Sequence, residues 1–276
     1  MNRLRLLLLV MAMVLAGLFG WRQGDKPAAG WTLALWPLPS QPAIPAPPLT
    51  PTQARANIED RFATIPDYAS YFDALRGVFP AEYQRINDGL AQKYASVEAL
   101  SGPPAAMDRA FFQAARSLRQ SHGILAAKAE NTKMERITKA QGNMMLALSK
   151  RGPRLCVDFF YGGADPDFYQ AMSENRALAA EFASSWLDAI ANGRQAAIRR
   201  DEPDDADVQM FDDALMARGL SRPEIDALLE NKTANPPLQD EALCKAGITY
   251  FSTLAALPEG PRTKLMARIL SLAARS

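Results

Sequence analysis

Residues 103–148 read PPAAMDRAFFQAARSLRQSHGILAAKAENTKMERITKAQGNMMLAL, and their spacing decides the fold class. Phe111, Ala115, Leu118, His122, Leu125 and Ala129 recur at steps of four and three. The series then slips and resumes at Met134, Ile137, Gln141, Met144 and Leu148. Steps of three and four put side chains on one face of a 3.6-residue helix. The slip predicts a bend, as one bent helix or two nearly collinear ones, rather than a regular coiled coil. Gly123 and Gly142 weaken such a helix without having to end it. Gly152-Pro153 stops it.

The same reading extends outward in both directions. Thr50-Pro51-Thr52-Gln53 supplies an N-cap, a proline at the first helical position and a glutamine at the third. A helix is predicted from there towards Ile65, followed by helices over 68–78 and 80–94. Residues 151–166 hold Cys156, aromatic residues and Gly162-Gly163, and 155–161 reads as a short extended piece. One long helix is expected from about Phe168, carrying Met172, Leu178, Phe182, Trp186 and Ile190 inward. Further helices are expected from Asp204 or Asp205 to Gly219, over 223–230 after a second capping box at Ser221, around Leu243 to Leu254, and over 263–273. The predicted class is all-α, an orthogonal or irregular multi-helix bundle over residues 51–276.

Ahead of it, Arg3 and Arg5 precede an apolar run over 6–21, and seven prolines without a charge occupy 37–51. Such a run approaches the length that spans a bilayer. It reads as a signal-anchor over 1–22 contacting lipid through residues 4–21, with a cleaved signal peptide as the alternative. Residues 23–50 read as a proline-rich extended spacer. The positive start places the N-terminus in the cytoplasm and the bulk in the periplasm or outside the cell; cleavage would make the protein secreted. The short apolar stretch over 31–36 reads either as an interfacial foot or as a piece packed on the domain.

The chain carries a net charge of +1, without the concentrated basic surface that nucleic-acid binding needs. A single histidine, His122, excludes any His-rich zinc site and reads as a core histidine. No cofactor motif stands out. Cys156 and Cys244 are the only cysteines and read as a structural disulfide in an oxidising compartment, with two buried thiols as the alternative. Asp158, Asp165 and Asp167 are the candidate catalytic carboxylates, in a stretch where Tyr161 and Tyr169 would line a cleft. Asp201, Glu202, Asp204, Asp205 and Asp207 are the candidate metal ligands, although a solvated loop with acids in a first helical turn explains them more simply. The function expected is that of a membrane-tethered helical adaptor holding an envelope protein or other envelope component. The alternatives are a carboxylate-dependent envelope hydrolase and a small-ligand carrier with an enclosed apolar cavity.

Overall fold

The structure, a computed structural model, describes residues 49–94, 105–161, 166–230 and 236–275. All regular structure among them is helical, and they belong to one compact unit. In chain order the helices are α1 (Pro51–Ala63), α2 (Pro66–Val78), α3 (Pro80–Lys93), α4 (Ala105–His122), a 3₁₀ segment (Gly123–Lys128), α5 (Asn131–Ser149), α6 (Pro153–Tyr161), α7 (Pro166–Ser173), α8 (Arg176–Ala196), α9 (Asp205–Ala217), α10 (Arg222–Glu230), α11 (Asp240–Ala256) and α12 (Glu259–Ala273).

Local chemistry sets the helix starts. At α1 the Gln53 amide donates to the Thr50 hydroxyl while the Thr50 amide donates to Gln53 Oε1 at 3.0 Å, so two otherwise unpaired amides are satisfied reciprocally. Asp204 and Asp207 do the same for α9. Proline stands in the first turn of α2 and α3, where its missing amide costs nothing. Gly219, at φ 88°, ends α9: its amide reaches Met216 and the Leu220 amide reaches Leu215, closing the last turn.

Several expectations change. The slip near residue 123 is a 3₁₀ segment rather than a bend within a helix. It is stabilised from outside, because Arg200 donates to the Ala127 carbonyl at 3.0 Å and to Asn131 Oδ1 at 2.9 Å, and Asn192 accepts from the Glu130 amide. Residues 155–161 are helical, since Pro153 opens α6 and Cys156 and Val157 bury one side of it. The long helix expected from Phe168 is two helices, broken after Ser173, where Asn175 Nδ2 bonds back to the Ala171 carbonyl.

The membrane part of the expected fold is corrected. Among the described residues no helix is long and apolar enough to cross a membrane. The longest, α8 with 21 residues, carries Arg176, Glu181, Asp188 and Arg194, so it packs by one face and leaves Glu181 and Arg194 exposed. The residues assigned to an anchor, 1–22, and those assigned to a spacer, 23–50 up to residue 48, lie outside the described residues, as do 31–36. The bilayer as a partner, the single-pass or secreted localisation and the membrane-tethered adaptor therefore have no support in the described fold.

Cys156 on α6 and Cys244 on α11 lie within disulfide distance, with Cα atoms 5.6 Å apart across 88 residues of sequence. Loop-closure arithmetic gives such a link a ceiling of roughly 4–5 kcal/mol.

Helix α8 approaches the backbone of the 3₁₀ segment closely at Gly193. A Cβ built on Gly193 would stand 1.9 Å from the Leu125 carbonyl oxygen, a backbone atom that cannot swing aside. Gly89, exposed on α3, would meet nothing within 4 Å. Gly193→Ala is thus expected to lower stability by about 3 kcal/mol, and Gly89→Ala to raise it by about 0.5–1 kcal/mol. Urea unfolding of both variants checks the opposite signs.

Candidate functional site

Aspartate 108 is fully buried near the start of α4, a position it can hold only because its charge is answered. Arg176, at the first turn of α8, donates from Nε at 2.8 Å and Nη2 at 3.0 Å to its two carboxylate oxygens. The Tyr68 hydroxyl of α2 donates to the same group. Burial, then the hydrogen bond to Asp108, pushes the Tyr68 hydroxyl far above its ordinary pKa, so it stays a donor. The Tyr68 ring stacks on Phe111 at 3.9 Å between centroids. This arrangement sets where α4 lies along α8.

The succeeding turns of those two helices form the walls of a pocket of about 370 Å³. From α4 come Phe112, Gln113, Ala115, Arg116 and Arg119, and from α8 come Phe182, Ala183 and Trp186. Phe159, Phe160 and Tyr161 of α6 face Phe168 and Tyr169 of α7, with Gln141 and Ala273 completing the wall. The rings interlock: Phe159 meets Phe182 at 5.2 Å and Phe168 at 6.4 Å, and Phe112 meets Phe168 at 6.1 Å. Edge and offset contacts of this kind make a rigid wall. Arg116 and Tyr161 are exposed at the rim, so the pocket opens to solvent.

Arg119 is the unusual residue. Its guanidinium lies 5.8 Å from the centroid of the Trp186 ring, its Nε is buried without a hydrogen-bond partner, and no carboxylate reaches ion-pair distance of it among the described residues. Trp186 Nε1 is a second buried donor without a partner in the same wall. Burial, reinforced by the neighbouring charge of Arg116, pulls the Arg119 pKa below its ordinary value. An unsatisfied buried donor costs about 1–3 kcal/mol, more when charged. The buried carboxylates Asp108 and Asp212, by contrast, are paired with Arg176 and Arg222, while Arg109, over the Tyr169 ring at 4.9 Å, has a buried Nε without a hydrogen-bond partner as Arg119 does. Chemically the pocket offers aromatic faces, a cation and no negative charge, since neither Asp nor Glu lines it.

The candidate catalytic carboxylates do not meet there. Asp158 is buried on α6 and pairs with Arg154 Nε at 3.0 Å; Asp167 is exposed in the first turn of α7; Asp165 lies outside the described residues. The hydrolase expectation is corrected accordingly, because the cleft beside Tyr161 and Tyr169 is lined by arginine and not by opposed acids. The pocket also differs from the enclosed apolar cavity expected of a carrier, since its rim faces solvent and two arginines line it. The acidic run serves the fold: Asp204 and Asp207 cap α9, and Lys264 lies 3.5 Å from the first and 2.9 Å from the second. Glu202 lies 3.8 Å from Arg268, and Asp201 and Asp205 are exposed. No group of three or more potential ligands gathers for a metal among the described residues.

His122 stacks on Phe79 with centroids 5.2 Å apart, and its Nε2 lies 3.7 Å from Glu82. The two arginines of the pocket escape a search for apolar stripes. Their signal is the adjoining stripe Phe112, Arg116, Arg119, at i, i+4 and i+7, which places two cations beside an aromatic ring on one helix face.

With this geometry in view, no known family model, curated protein or solved structure matches the chain. The class rests on the molecule itself: an all-α bundle with an aromatic, arginine-bearing pocket between its helices.

Asp108→Asn leaves Arg176 without its countercharge and is expected to cost about 3 kcal/mol, measured by urea unfolding. Glu82 contributes a pH dependence to stability. Hydrogen bonds from Arg85 hold its carboxyl below the ordinary value against the opposing effect of burial, with Ser121 and His122 assisting. A lowered folded pKa contributes stability that is present above the unfolded value, about 4.3, and is lost as pH falls through the folded one. Glu82→Gln is therefore expected to flatten the fall in stability below pH 5, as thermal melts at pH 7, 5 and 3 would record.

Proposed function

We propose that this protein is a ligand-binding helical domain whose pocket takes an organic anion with an apolar, aromatic-compatible body. The observation that carries the reading is Arg119, a half-buried cation whose buried Nε has no hydrogen-bond partner and which no described carboxylate pairs, in a largely aromatic wall. A carboxylate or similar acidic group would supply the missing charge and accept from the guanidinium, in a charge-assisted hydrogen bond stronger than a neutral one. The rings around it would cover the body of the ligand. A volume of about 370 Å³ lies in the range of small-molecule sites. The wall is held by the Asp108–Arg176 register and by ring packing, so the site is preformed and little ordering is lost on binding.

The probe is 2-naphthoate, an aromatic acid, with 2-naphthamide as its neutral counterpart, titrated by calorimetry into the full chain. The acid is expected to bind at one site and at least tenfold more tightly than the amide. Arg119→Met is expected to weaken the acid at least tenfold, the loss of one charged hydrogen bond of about 1.5–3 kcal/mol, and to leave the amide unchanged. Equal affinity for acid and amide, or an acid affinity indifferent to Arg119, would overturn the reading.

A further inference from the structure

Behind Phe160 lies a second and larger space. It measures about 820 Å³, and Gln141, Phe160 and Ala273 line it as well as the aromatic pocket, so the two spaces share a wall. Their chemistry differs. The second space is bounded chiefly by Val208, Phe211, Leu228, Tyr250, Ile269 and Leu272 from α9 to α12. Its two charged lining residues, Glu202 and Arg268, stand 3.8 Å from each other and answer one another. Nothing in it asks for a polar partner, and its outer side leaves Val208 43% and Leu272 49% exposed. Apolar side chains this exposed along a cavity lose free energy to water that an apolar ligand chain would restore.

We infer that the ligand is a monomeric long-chain carboxylate, its acidic head at Arg119 and its alkyl chain passing Phe160 and Ala273 into the space between α9, α11 and α12. The inference rests on the anion-binding reading of the first pocket and adds to it the class of ligand. Two features argue for this occupant. The cation without a countercharge stands on one side of the shared wall, and the large apolar volume without a polar demand stands on the other. A compact aromatic acid would fill the first space and leave Leu272 and Val208 uncovered. A neutral lipid would cover them and leave Arg119 unanswered. One molecule with a single acidic end and a flexible apolar chain satisfies both sides. Phe160 contacts Tyr161 on the pocket side and Tyr250 and Phe251 on the other, so its ring is the surface over which the chain would turn.

The test is a chain-length series on the full chain: octanoate, dodecanoate and hexadecanoate below the concentrations at which they aggregate, with hexadecanol as the neutral control. Affinity is read by displacement calorimetry and stoichiometry by native mass spectrometry. Affinity is expected to rise with each added methylene, by up to about fourfold, and hexadecanoate to form a one-to-one complex. Leu272→Glu, at an exposed position where folding is not at stake, is expected to weaken hexadecanoate at least tenfold and leave 2-naphthoate unchanged. Arg119→Met is expected to weaken both. If 2-naphthoate binds but affinity stays flat from octanoate to hexadecanoate, or hexadecanoate associates only as vesicles, the long-chain assignment is overturned and the anion pocket stands. Absence of 2-naphthoate binding, or hexadecanol binding as tightly as hexadecanoate, would overturn the anion pocket itself.

Discussion

The bidentate contact between Asp108 and Arg176 is the constraint on which the functional region depends. A carboxylate with no solvent exposure cannot remain charged alone, so its position dictates where the guanidinium and the Tyr68 hydroxyl must be. One partner begins α4 and the other begins α8. Fixing both fixes the register of the two helices, and every later turn inherits it. Phe112 and Arg119 on one helix then face Phe182 and Trp186 on the other. Such a pair contributes less to net stability than to specificity of arrangement, since an apolar replacement would pack without demanding a particular register.

The far end of the same helix pair is set by a different device. Gly193 lets α8 touch the backbone of the 3₁₀ segment, while Arg200 and Asn192 satisfy the polar groups that a 3₁₀ turn leaves open. The pocket therefore lies between two fixed points, an ion pair at one end and a backbone contact at the other. Within that span Arg119 alone among the pocket's inner residues retains a charge without an acidic partner. That unanswered charge in an aromatic wall gives the site its chemical character.

Much of the fold was legible from local signals. The capping boxes at Thr50 and Ser221, the acids at Asp204 and Asp207, and the prolines at 51 and 80 mark helix starts, because they satisfy or avoid the amides of a first turn within three or four residues of sequence. The stripes at 111–118 and 134–148 marked buried faces for the same reason. Errors gathered where the determining partner is distant. The 3₁₀ turn needs Arg200, more than 70 residues away, to hold its carbonyls. Residues 155–161 looked extended because aromatic and β-branched residues suit a strand, yet burial against α11 beside Cys244 favours the helix. The apolar run at the N-terminus suggested a membrane segment, and no described helix carries that suggestion further.

The site divides along the same line. Tyr161 and Tyr169 were recognisable as cleft residues from their irregular, aromatic surroundings, and both line the pocket. The carboxylates beside them attracted a catalytic reading because sequence reports that acids are near one another, not that their oxygens face one space. Asp158 instead turns to Arg154, four residues back along its own helix. What the sequence by itself determined is therefore the helical class, the helix starts and the apolar faces, all governed by spacing and by bonds spanning three or four residues. Only the tertiary structure decided that Arg119 lacks a countercharge and that two spaces meet at Phe160, because a side chain's electrostatic balance and a cavity's walls depend on residues brought together from six separate helices.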